Sequence, residues 1–91
     1  METATPIKMT KEEIITLLRE NLLEIIPELE GEAFSNDESL VDLGANSIDR
    51  AELIMLTLEG LNLNVPRTEF VGYLNINSLA GRFLEKIEAG A

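Results

Sequence analysis

The chain contains no cysteine and no histidine, and each absence removes a class of chemistry. Without cysteine there is no disulfide framework and no thiol of its own. Without histidine the commonest metal ligand, proton shuttle and triad base are missing. Basic residues are scarce: seven Lys and Arg stand against seventeen Asp and Glu, for a formal net charge of -10. Such a balance repels phosphate backbones and anionic lipid heads, which argues against nucleic acid and membrane surfaces, and it attracts basic patches on proteins. No uninterrupted apolar run approaches the roughly 20 residues a membrane span needs, and Met1–Met9 has no long apolar stretch of the signal-peptide kind. The expectation is a cytoplasmic, soluble monomer.

What is present fits one small domain. A chain of 91 residues buries only about 60% of its unfolded surface, leaving little stability to spare for a large enclosed active site. Residues 1–9 and 89–91 read as tails around a domain at 10–88. Thr10 followed by Glu13 has capping-box spacing, and Ile14, Ile15, Leu18, Leu22, Ile25 and Ile26 then share one helical face. Pro27 stops that helix, because it lacks an amide donor and restricts the residue before it. Residues 28–46 read as a long ordered loop held down by Phe34, Leu40, Val41 and Leu43. A second helix is expected from about Ser47 to Gly60 or Leu61. A short element follows near Arg67 to Val71, and a last helix is capped by Ser78 and apolar at Leu79, Phe83, Leu84 and Ile87. The fold class is therefore all-α, a small four-helix bundle of three main helices and one short third helix.

The second helix is apolar twice over. Ile48, Ala51, Met55 and Leu58 form one stripe, while Leu53, Ile54, Leu56 and Leu61 spread over much of the rest. Burial nearly all round would account for this, and so would a docking surface on one stripe. Asp49, Glu52 and Glu59 flank the stripe that begins at Ile48 and give it an acidic rim. Ser47 stands where this helix begins, a place that suits a capping serine. It has no histidine to activate it as a nucleophile, and Asp49 occupies the second glycine of a G-x-S-x-G elbow. Calcium chemistry fails too: with Gly44 aligned to the glycine of an EF-hand loop, Val41 and Leu43 stand where acidic ligands belong, and Arg50 replaces the glutamate. Adjacent carboxylates such as Glu12 with Glu13 or Asp37 with Glu38 read as solvated surface. The reading left for Ser47 as more than a cap is an acceptor, modified by another enzyme with a phosphate-containing group at a helix start that tolerates negative charge.

The run Leu40-Val41-Asp42-Leu43-Gly44-Ala45-Asn46-Ser47-Ile48-Asp49, followed by Glu52-Leu53, resembles the attachment region of acyl carrier proteins, and the likeness extends over roughly Thr10 to Ile87. The resemblance implies a 4'-phosphopantetheine arm on Ser47, taken from coenzyme A by a phosphopantetheinyl transferase, with Asn46 and Asp49 beside the attachment point. It implies a carrier without catalytic activity, holding acyl groups as thioesters. It also implies helix two as the docking element, with Ile48, Arg50, Ala51, Glu52, Met55, Leu58 and Glu59 on the partner face and Leu53, Ile54 and Leu61 in the core. Asn46 departs from the family's usual Asp, keeping hydrogen bonding and losing charge. The stretch Gly44 to Glu52 is most similar to discrete polyketide carriers, in particular donor carriers of β-branching cassettes. Partners implied are an acyltransferase and a ketosynthase or a hydroxymethylglutaryl (HMG)-synthase-like enzyme. From the residues alone, an unmodified acidic helical adaptor for a basic partner remains the alternative.

Overall fold

Thr10 opens the first helix with a reciprocal cap in the computed structural model, which describes residues 9–89. The Glu13 amide donates to the Thr10 hydroxyl at 3.1 Å, and the Thr10 amide donates to the Glu13 carboxylate at 2.9 Å. Helix α1 then runs Lys11–Ile25 and buries Ile14, Leu18 and Leu22, one residue per turn on a single face. Pro27 ends it as expected and turns the chain into a 3-10 turn, Pro27–Leu29, that the sequence did not signal. The tails expected at 1–9 and 89–91 lie largely outside the described residues; Met9 packs against the core and Ala89 is the last residue of the final helix.

The long loop is stitched down at both ends. Arg19 on α1 donates to the Phe34 carbonyl at 3.0 Å and to the Asn36 side chain at 2.7 Å, and its guanidinium lies 3.9 Å from the centre of the Phe34 ring. At the other end the Leu40 amide donates to the Leu74 carbonyl at 2.8 Å, the Asn77 amide donates to the Asn36 carbonyl at 3.0 Å, and the Asn77 side chain donates to Asp37. Leu40 is fully buried, but Val41, expected to anchor the loop, is 52% exposed. The reason is local. Leu40 and Ala45 take the inward positions across the turn that precedes the second helix, and Val41 is left on its outer side.

Helix α2, Ser47–Gly60, buries Leu53, Ile54 and Thr57 against the core. Its end closes through Asn62, which adopts a left-handed φ of 53° while the Asn62 and Leu63 amides donate to the carbonyls of Glu59 and Leu58. Thr57 is a buried polar residue that the hydrophobic pattern did not reveal. Its hydroxyl donates to the Leu53 carbonyl at 2.8 Å and accepts from the Asn21 side chain at 3.0 Å, so its burial leaves no bond unmade. Near the far end of α2, Gly60 lets α1 come close: a Cβ there would stand 3.2 Å from Leu17.

The expected short third helix is a single 3-10 turn, Arg67–Phe70. Four residues cannot complete an α-helical ladder, and what holds the turn is tertiary: Phe70 stacks on Phe83 with ring centres 4.2 Å apart. Glu69 adds a second tie, pairing with Lys86 at 2.8 Å and with Arg82 at 2.9 Å. Helix α3, Ile76–Ala89, starts earlier than the Ser78 cap would allow. Asn75 takes the capping role: its side chain accepts from the Ser78 amide at 2.7 Å, and the Asn75 amide donates to the Ser78 hydroxyl at 3.3 Å. The shift puts Ile76 into the core beside Leu79, Ala80 and Phe83. The described residues thus form an all-helical fold of three α-helices and two 3-10 turns, without strands.

Candidate functional site

A tight turn delivers the chain to the head of α2. The Gly44 and Ala45 amides donate to the carbonyls of Val41 and Leu40 at 3.0 and 2.9 Å. Gly44 carries φ of +99°, a value that L side chains rarely adopt. Ala45 is thereby tucked into the core with 2% exposure, and Asn46 emerges at the helix start. Asn46, not Ser47, is the cap. Its side chain accepts from the Asp49 amide at 2.8 Å, and the Asn46 amide donates to the Asp49 carboxylate at 3.2 Å.

This moves Ser47 to the first helical residue and changes what its side chain is for. Ser47 is exposed, and among the described residues its hydroxyl has no hydrogen-bond partner. Both polar neighbours, Asn46 and Asp49, are occupied with each other, so they fix the helix start without engaging the hydroxyl. One turn on, Arg50 is half-buried and donates to the Ala45 carbonyl at 2.8 Å, which pins the turn a second time.

Ser47 also lies at the lip of a cleft of about 340 Å³. Arg50, Ala51 and Ile54 of α2 form one wall, Arg67 and Thr68 with Val71 to Leu74 the other, and Leu40, Phe70 and Leu79 belong to its buried floor. Gly72, with φ of +92°, lies within the second wall. That wall is held through Glu69. Hydrogen bonding to Lys86, followed by the charges of Lys86 and Arg82, keeps the Glu69 carboxyl below its ordinary range and ties the turn to α3. Arg67, Tyr73 and Leu74 were not among the site residues expected from sequence. The short element expected near Arg67 to Val71 carried no periodic pattern that could point its residues toward Ser47, and nothing in the sequence marked Tyr73 or Leu74.

The two stripes of α2 separate in part in the fold, with Leu56 and Leu58 both half-buried. Ile48 and Met55 are 74% and 45% exposed, Glu52 and Glu59 are exposed, and Ala51 is half-buried between them. Leu53 and Ile54 face inward, and Leu61 packs partly against the core. Leu58 belongs to neither stripe: it is partly buried against the core, where the Leu63 amide folds back onto its carbonyl.

An exposed hydroxyl with no base beside it lacks what a serine nucleophile needs, so Ser47 has no catalytic partner among the described residues. Residues 13–83 match the family described as the phosphopantetheine attachment site. The chain is 43% identical over 81 residues to the polyketide biosynthesis acyl-carrier-protein AcpK of Bacillus subtilis (strain 168), covering 89% of this chain and 99% of that one. It is also similar, with a TM-score of 0.81 and 42% identity over 85% of this chain and 99% of the other, to a chain in the crystal structure of the curacin biosynthetic pathway HMG synthase in complex with acetyl donor-ACP. The chain belongs to the phosphopantetheine-attachment family. It is a non-catalytic acyl carrier, and its prosthetic group is 4'-phosphopantetheine bound covalently to a serine.

Proposed function

We propose that Ser47 is the serine that bears the arm, and that the chain carries short acyl units in polyketide biosynthesis as the donor for an HMG-synthase-like enzyme. One observation carries the assignment of Ser47: its hydroxyl is exposed and unbonded at the first position of α2, because Asn46 has taken over the cap. The residues present fit the group. When attached, the arm supplies the thiol this sequence lacks, on which acyl groups ride as thioesters. Asn46 and Asp49 fix the helix start that carries Ser47 through their reciprocal bonds, with Asn46 taking the role without the charge of an aspartate. Ile48, Ala51 and Met55, with Arg50, Glu52 and Glu59 around them, present a partner face of apolar surface and mixed charge, and Leu58 supports its edge from below. The 3-10 turn Arg67–Phe70 stands in for the short third helix of the family's four-helix bundle, and the carrier domain spans 10–88.

The donor role is supported by the likeness, at 42% identity, to a chain crystallised with an HMG synthase as acetyl donor-ACP. An acyltransferase, or a ketosynthase earlier in the sequence of reactions, would load or use the same thioester. Incubation with coenzyme A and a broad-range phosphopantetheinyl transferase is expected to add one phosphopantetheine by intact mass to the parent chain and none to Ser47→Ala. Equal addition to both would remove Ser47 from the site. For the donor role, the acetyl-loaded chain is expected to pass its acetyl group to an HMG-synthase-like enzyme, and Met55→Glu to slow that transfer while leaving helix content intact. Transfer at the parent rate would take the α2 face out of docking.

A further inference from the structure

Two arginines far apart in sequence, Arg50 on α2 and Arg67 on the opposite wall, line the same cleft as Ser47. In a chain with seven basic and seventeen acidic residues, cations are expected to sit against carboxylates. Arg82 and Lys86 do so, sharing Glu69. Among the described residues Lys11, Arg19, Arg50 and Arg67 are in no ion pair, and of these only Arg50 and Arg67 line the cleft. Arg50 gives one nitrogen to the Ala45 carbonyl, and Arg67 reaches only the Met55 sulfur, a weak acceptor, at 3.4 Å. A guanidinium carries five N–H donors, so both side chains keep most of their capacity.

Position sharpens the point. Arg50 follows Ser47 by three residues on α2, the spacing at which helical side chains are neighbours. It sits in the first turn, where a cation is mildly disfavoured by the helix dipole, and its half-buried stem and bond to Ala45 nevertheless fix it there. A phosphodiester on Ser47 would add a negative charge to a protein whose formal net charge is already -10. Planar guanidinium groups match phosphate oxygens in geometry as well as charge.

We infer that Arg50 and Arg67 form an anion clamp across the cleft that holds the phosphodiester of the arm, so that the arm leaves Ser47 over the cleft and not freely into solvent. This rests on Ser47 bearing the arm. The clamp neutralises the new charge locally and aims the arm toward the wall formed by Val71 to Leu74. It also gives Arg50 a role distinct from contact with partner enzymes.

The test is nuclear magnetic resonance of the chain before and after loading with coenzyme A, with intact mass recording the loading. In the loaded form with a free thiol, the phosphodiester is the arm's only anion. Loading is expected to shift the side-chain Nε–H resonances of both Arg50 and Arg67 downfield and to slow their exchange with water several-fold. In the double variant Arg50→Gln, Arg67→Gln the phosphorus resonance is expected to move toward that of the same phosphodiester in the loaded, denatured chain. Complete loading with unmoved arginine resonances, or with only one of them moved, overturns the clamp and leaves the Ser47 assignment standing. Failure to load at all, with Ser47→Ala indistinguishable from the parent, overturns both. The comparison of loaded and unloaded parent chain needs no variant, so a folding defect in the double variant cannot obscure the result.

Discussion

Truncating Leu53 to alanine deletes a side chain with 0% exposure at the centre of the core, whereas Met55, two residues on, is 45% exposed on the same helix. Cavity formation at a fully enclosed leucine costs about 2–5 kcal/mol, because the neighbours collapse only partly into the space. At roughly 0.05–0.15 kcal/mol per residue, a domain of 91 residues has about 5–14 kcal/mol of stability in all. A central loss of ~3 kcal/mol is thus a large fraction of the total and lowers the Tm by about 12–24 °C. Met55→Ala opens no cavity and is expected to change stability by less than ~0.5 kcal/mol, or about 2–4 °C. Thermal unfolding followed by circular dichroism, with both variants and the parent at one pH and salt, makes the comparison. If Leu53→Ala melted within a few degrees of the parent, or Met55→Ala fell as far, the division of α2 into a core side and a free side would be wrong.

Gly44→Ala places a Cβ on a backbone with φ of +99° and nothing within 4 Å of it, so strain alone acts. Denaturant unfolding should show a loss of about 1–2 kcal/mol, together with slower loading of Ser47. Thr57→Val removes the acceptor of the Asn21 side chain in a position with 0% exposure, and a loss of about 1–3 kcal/mol is expected at unchanged helix content. Glu69 governs part of the acid response. Its folded pKa lies below the ordinary 4.5, first through hydrogen bonding to Lys86, so its contribution is in full above that value and is lost as pH falls through the folded pKa. Melting curves taken at descending pH should fall less steeply in Glu69→Gln than in the parent below pH 4.5, and parallel curves would show that the cluster contributes nothing.

Sequence alone located the helices because their signals are local. The Thr10 and Glu13 box, the apolar spacing of Ile14, Leu18 and Leu22, and the proline stop at Pro27 each act within a turn or two of chain, and the fold keeps all three. The attachment motif was legible for the same reason, since it is a contiguous run ending in Asp49. Caps were harder. Asn46 and Ser47 are both good capping residues, as are Asn75 and Ser78, and local preference cannot choose between them. The choice fell to the turn at Gly44 in one case and to the burial of Ile76 in the other.

Tertiary structure decided the rest. Residue types show that α2 is apolar on two sides, but which side meets α1 depends on where α1 lies, and the fold buries Leu53 and Ile54 with Ile14, Leu18 and Leu22 of α1. Burial of Thr57 depends on a partner, Asn21, that only the packing of α1 on α2 supplies. Arg50 and Arg67 come to line one cleft only in the folded chain, where Phe70 stacks on Phe83 and fixes the turn that carries Arg67. A sequence specifies elements through short-range bonds and side-chain periodicity, whereas the faces those elements turn inward, and the residues they bring together from far along the chain, follow only when one common core is buried.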